Sequence, residues 1–142
     1  MKYQVVNKEP SMSYDIYLYE KAFLKRALEQ NLDDWTNADL ISEEKKGRIR
    51  QSLKAKGYRI VGEKPTSQEY RHPNKNWAIT VSIYTGEIAI TIPYWKDAEN
   101  AVHVALVDAK EFADVAQLAL YDPQADDKPD DASDYPEDEE EI

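Results

Sequence analysis

Two short clusters concentrate the residue types that could bind or catalyse. His72-Pro73-Asn74-Lys75-Asn76-Trp77 places an imidazole, two carboxamides, an ammonium and an indole in six consecutive residues between two strand-like runs. Loops of this kind on a rigid scaffold often carry recognition, and His72 with Asn74 could orient a small ligand or, beside a buried carboxylate, move a proton. The plainer role of the same residues is an ordinary turn chosen for Pro and Asn geometry. Tyr94-Trp95-Lys96-Asp97 is the second cluster, at the hand-over from a strand pattern to a helix pattern. Exposed Tyr and Trp are favoured interface anchors, so Tyr94, Trp95 and Asp97 are candidate contacts; the plainer role is a hydrophobic corner of the core.

Other chemistry finds little to stand on. The four glycines stand apart at 47, 57, 62 and 86, and no Gly-Lys-Ser/Thr triplet follows any of them, so a phosphate-cradling loop is not expected. His72 and His103 are the only histidines and cysteine is absent, which leaves no ligand set of metal-binding spacing. Asp33-Asp34 precedes Trp35, but carboxylates adjacent in sequence do not form an acid/base pair with distinct environments, and they read as helix-end polar residues. Catalytic residues, metal and cofactor are therefore all expected to be none.

Charge separates the chain into two parts. Pro123 to Ile142 holds ten acidic residues, Asp126, Asp127, Asp130, Asp131, Asp134, Glu137, Asp138, Glu139, Glu140 and Glu141, against Lys128, a net of −9 out of the chain's −10. The other 122 residues are close to neutral, so the acidic balance describes the end of the chain and not its body. Between Glu43 and Arg59 the balance reverses to +5, with Lys46, Arg50 and Lys54 on one i, i+4 row. Aromatic interleaving is missing there, so a solvated helix face is expected over direct nucleic-acid binding, and weak salt-sensitive attraction between this row and the acidic end is a further expectation.

The elements that must position these residues read as one α+β domain over 13–122. Residues 1–12 are a loosely held lead interrupted by Pro10. SYDIYLY alternates as a first strand, Lys21 to Asn31 carries Phe23, Leu24, Ala27 and Leu28 at helical spacing, and Thr36 could cap a short turn with Asp39. Ser42 is placed to cap a second helix that ends at Gly57. YRIVGE reads as a strand, Gln68–Arg71 as another, and residues 77–92 as a β-hairpin turning at Thr85-Gly86, with Trp77, Ile79, Val81 and Ile83 on one side of its first arm. Asp97 is placed to cap a last helix whose apolar stripe runs from Ala101 to Leu120. The expected order is β-α-α-β-(β)-β-β-α, an antiparallel sheet of four or five strands with two or three helices on one face. Residues 123–142, rich in Asp, Glu and Pro, are expected to be a disordered acidic tail.

Residues 12–23, MSYDIYLYEKAF, resemble the opening of small bacterial proteins that include immunity proteins of polymorphic-toxin and contact-dependent systems; IPYW and LALYDPQ are similar to signatures in such a family. That resemblance implies a protein that occludes a toxin and carries no catalytic residues. The expectation is a non-enzymatic cytoplasmic binding protein with a protein partner, a basic toxin domain contacted by the tail and the exposed aromatics. Two alternatives stand beside it: a nucleic-acid mimic or phage-encoded inhibitor using the acidic tail, and a small ligand-binding domain or enzyme with its site near His72 and Trp95. No run is apolar and long enough to span a bilayer, the first residues lack the pattern of a secretory signal, and nothing in the sequence sets an oligomeric state.

Overall fold

In strand β1, Ser13–Tyr19, both sets of alternating side chains find cover, and this decides the architecture. Ile16 and Leu18 are fully buried in the main core, while Tyr17 and Tyr19 enter a second, aromatic cluster on the opposite face. The computed structural model describes residues 13–94 and 97–125. The expected lead over residues 1–12, Trp95, Lys96 and the acidic residues from Asp126 onward lie outside them.

Among the described residues six strands form one antiparallel sheet in the order β2-β3-β4-β5-β1-β6. After β1 these are β2, Arg59–Lys64; β3, Ser67–Arg71; β4, Thr80–Ile83; β5, Ile88–Pro93; and β6, Ala119–Tyr121. The register aligns Leu18, Ile88 and Ile83 in one cross-strand row and Ile16, Ile90, Val81 and Tyr70 in the next, so one face is a continuous aliphatic surface. Each of its buried Ile, Leu and Val side chains contributes roughly 1.5–3 kcal/mol by leaving water. Edge strand β2 carries charges and a bulge between Ile60 and Gly62, and the other edge, β6, is only three residues long. Both features limit pairing with a foreign strand.

Helices α2, Glu43–Ala55, and α3, Ala98–Ala116, bury Ile49, Leu53, Ala101, Ala105, Ala109 and Phe112 against the aliphatic face. Helix α1, Lys21–Glu29, lies on the other face, where Phe23, Leu24 and Ala27 meet Tyr19, Ala119 and Trp35. The expected α+β domain is thus correct, but the helices are not confined to one face. Tyr19 on the outward side of β1 requires its own cover, and Phe23 of α1 together with Trp35 supplies it.

The three helices of the described residues end in the same way. After α2, the Tyr58 amide donates to the Leu53 carbonyl at 3.0 Å and the Gly57 amide to the Lys54 carbonyl at 3.0 Å, with Gly57 at φ 88°. Asn31 at φ 51° plays the glycine's part after α1, and Gln117 at φ 55° plays it after α3. Ser42 caps α2 as expected, its hydroxyl accepting from the Lys45 amide at 3.2 Å.

Several sequence expectations need correction. The apolar stripe does not continue to Leu120 in a helix: Gln117 turns the chain, and Ala119–Tyr121 returns as the sixth strand beside β1. Trp77 is not on the hairpin arm, because Ala78 at φ 54° breaks the run and β4 begins at Thr80. Thr36 caps nothing; its amide and hydroxyl both donate to Asp34, while Asp39 pairs with Arg26 at 2.9 Å. Trp35, next to Asp33 and Asp34, is the centre of the aromatic cluster, its ring 5.1–5.8 Å from those of Tyr19, Phe23 and Tyr121. Past Asp122 the fold continues through a 3-10 turn, Pro123–Ala125, where the Gln124 carboxamide hydrogen-bonds both backbone groups of Asp15.

Among the described residues no helix is long and apolar enough to cross a membrane.

Candidate functional site

His72 is used by the fold. Its amide donates to the Ile79 carbonyl at 2.9 Å, its Nδ1 accepts from the Asn74 amide at 2.9 Å, and its ring lies 5.0 Å from Tyr58 and 5.2 Å from Trp77. Asn74 in turn accepts from the Asn76 amide through Oδ1 and from the Trp77 amide through its carbonyl. The loop closes as an asparagine-stabilised turn, the plainer of the two expected roles. Beneath it, Tyr58 donates its hydroxyl to buried Asp108 at 2.8 Å, and Lys56 reaches the other Asp108 oxygen at 3.4 Å and Glu111 at 2.7 Å. Burial holds the His72 imidazole pKa below its usual value, and the nearby Asp108 carboxylate opposes that push. Asp108 sits inside the apolar stripe of α3, so the helical period concealed it.

Asp97 and Tyr94 separate. Asp97 occupies the position before α3 at φ 68°, but its carboxylate accepts from the Trp77 indole at 2.8 Å and the Asn100 carboxamide at 2.7 Å, not from the helix backbone. The Trp77 hydrogen bond, then that of Asn100, holds its pKa below the ordinary carboxylate range. His72, Asn74, Trp77 and Asp97 are therefore one neighbourhood. Tyr94 is 49% exposed at the far end of β5, where burial first, then Asp15 and Asp122, raises its phenol pKa. Asp122 is buried and accepts from the Tyr14 hydroxyl at 2.5 Å. Trp95 and the acidic tail lie outside the described residues. Among those described, no group of three or more potential ligands could hold a metal ion.

Sequence reasoning missed the outward face of the sheet. Cross-strand rows there read Tyr17, Ala89, Ser82, Glu69 and Asp15, Thr91, Thr80, Arg71. Thr80, Ser82, Ala89 and Thr91 are partly exposed and belong to neither buried cluster. Tyrosines gather at one end of this small-residue floor. Register sets Tyr17 beside Ala89 and Tyr121, and the hairpin turn sets Tyr84 beside Glu87; burial first, then Asp15, Glu87, Tyr121 and Tyr84, raises the Tyr17 pKa. Tyr84 is 42% exposed, and Tyr19 donates to the Glu87 carboxylate at 2.9 Å. The polar half of each strand's alternation was the available signal; register alone brings the halves of β1, β4 and β5 together.

On the opposite side, a groove of about 380 Å³ runs between α2 and the β2–β3 edge, lined by Arg50, Gln51, Lys54, Tyr58, Ile60 and Tyr70. The basic row is partly neutralised: Arg50 pairs with Glu43, and the neighbouring Lys45 and Arg48 pair with Glu20 and Glu44. Lys46 and Lys54 have no carboxylate partner among the described residues.

Compared with family models, curated proteins and solved structures, the chain matches none of them.

Proposed function

We propose that this chain is a non-enzymatic binding protein, and specifically an immunity protein that occludes a basic bacterial toxin domain. The observation that carries the binding reading is the outward sheet face, where Tyr17, Tyr84 and Tyr121 stand beside Asp15 and Glu87 over a floor of Thr, Ser and Ala. Tyrosine offers large amphipathic contact area at little conformational cost, and small floor residues let a partner's backbone approach. The carboxylates and the −9 segment beyond Pro123 favour a cationic partner. Charge of this sort raises the association rate, while tyrosine burial supplies the slow dissociation. The toxin class rests on the resemblance of residues 12–23 to immunity proteins.

The test is a binding titration against the purified products of the genes flanking this chain's own. Tyr84→Ala, an exposed position, should weaken binding at least ten-fold, about 1.4 kcal/mol. Lys110→Ala, exposed on α3 behind the aliphatic face of the sheet, should leave affinity within about two-fold. Absence of binding by the parent, or equal affinity of Tyr84→Ala and parent, overturns the proposal.

A further inference from the structure

We infer that the groove between α2 and the β2–β3 edge is the docking site of the chain's own acidic C-terminal segment, residues 126–142. This inference does not depend on the identity of any external partner.

Three observations converge. The first is charge. Lys54 and Lys46 have no carboxylate partner among the described residues, although four other cations of the same stretch do. The segment beyond Ala125 carries ten carboxylates and one lysine.

The second is the floor. Ile60 is 47% exposed on the side of β2 that Tyr70 shares, at the open edge of the sheet. An occupant of this groove must therefore bring an apolar side chain as well as negative charge. Residues 126–142 contain one aromatic, Tyr135, with Asp134 before it and Glu137 two positions after it. A phenol over Ile60 and Tyr70 with flanking carboxylates toward Lys54 and Arg50 satisfies both requirements.

The third is reach. The described chain ends at Ala125, beside β1, and Tyr135 lies ten residues further on. Ten extended residues span about 33–36 Å. The five strand spacings of the sheet cover only about 24 Å at about 4.8 Å each. Tethering of this length makes the contact intramolecular, so weak individual attractions suffice. Docking there places the polyanion away from the tyrosine face, and high salt or a cationic partner would release it.

The test uses the full chain, which has no cysteine. A nitroxide on Ser133→Cys should broaden the amide resonances of Gln51, Lys54, Ile60 and Tyr70 at low salt. Broadening should disappear near 1 M salt, where the screening length is about 3 Å. Lys54→Glu and Tyr135→Ser, each made in the labelled chain, should each reduce it at least two-fold. Uniform broadening, or broadening centred on Tyr17 and Ala89, overturns the inference, as does indifference to both substitutions. Broadening of an isotope-labelled chain by a separate nitroxide-labelled chain would assign the groove to a second copy and also overturn it.

Discussion

Two phenols in this fold donate directly to carboxylates from largely buried positions, Tyr19 to Glu87 at 2.9 Å and Tyr58 to Asp108 at 2.8 Å. Ionising either would place two negative charges within hydrogen-bond distance in a poorly solvated site. Burial first, and the carboxylate second, therefore raises each phenol well above the ordinary tyrosine value. A group whose pKa is raised by folding contributes stability in full below its unfolded pKa, about 10 for tyrosine, and loses it as pH climbs toward the folded value. Each such tyrosine costs about 1.4 kcal/mol per pH unit above that point, so the pair costs about 2.7 kcal/mol per unit and about 5 kcal/mol by pH 12. That is comparable with the whole stability of a marginal domain.

Equilibrium urea unfolding at a series of pH values, with tyrosinate absorbance followed in parallel, measures both halves of this expectation. The protein should show little tyrosine-linked change below pH 10, then lose stability steeply, with tyrosinate from Tyr19 and Tyr58 appearing only as the chain unfolds. Tyr58→Phe should cost about 1.5–3 kcal/mol at neutral pH, because Asp108 loses a donor, yet should lower the alkaline slope by about 1.4 kcal/mol per unit. Full tyrosinate absorbance near pH 10 in a still-folded protein would refute the reasoning. So would an unchanged slope in the Tyr19→Phe/Tyr58→Phe double variant.

Gln117→Gly should stabilise the fold by about 1 kcal/mol, since Gln117 holds φ 55° after α3, and a thermal or urea transition would register the gain. Gly86→Ala should destabilise by about 1–3 kcal/mol in the same assay. Its added methyl would lie 2.9 Å from the Ala38 carbonyl oxygen, in a turn tied to residues 38–41 by the Ile41 amide donating to the Thr85 carbonyl.

Alternation and capping chemistry were sufficient to locate β1, α2 and the hairpin. Each is specified by neighbouring residues: SYDIYLY by its period of two, α2 by Ser42 and Gly57, and the turn by Thr85-Gly86. The end of α3 was not legible, because Gln117 does there what a glycine would have announced, and Leu120 happens to continue the apolar period. Asp108 was hidden for a related reason, since its acceptability in an apolar stripe depends on Tyr58 and Lys56, fifty residues away. His72 and Asn74 were visible as chemistry, but only their partners show that the loop uses them to hold itself and to pack against Tyr58.

The sequence by itself determined the α+β class, the near-neutral body with its charge gathered past Pro123, and the basic row on α2. Those properties follow from composition and from contacts within a few residues. Tertiary structure decided the rest. Pairing β1 with β5 and β6, and β5 with β4, brings Tyr17, Tyr84 and Tyr121 onto one face, and the packing of α2 beside the β2–β3 edge leaves a groove lined by Arg50 and Lys54. Register between distant strands, and the place where a helix stops covering a sheet, are set by the joint packing of the whole core, and no local pattern carries them.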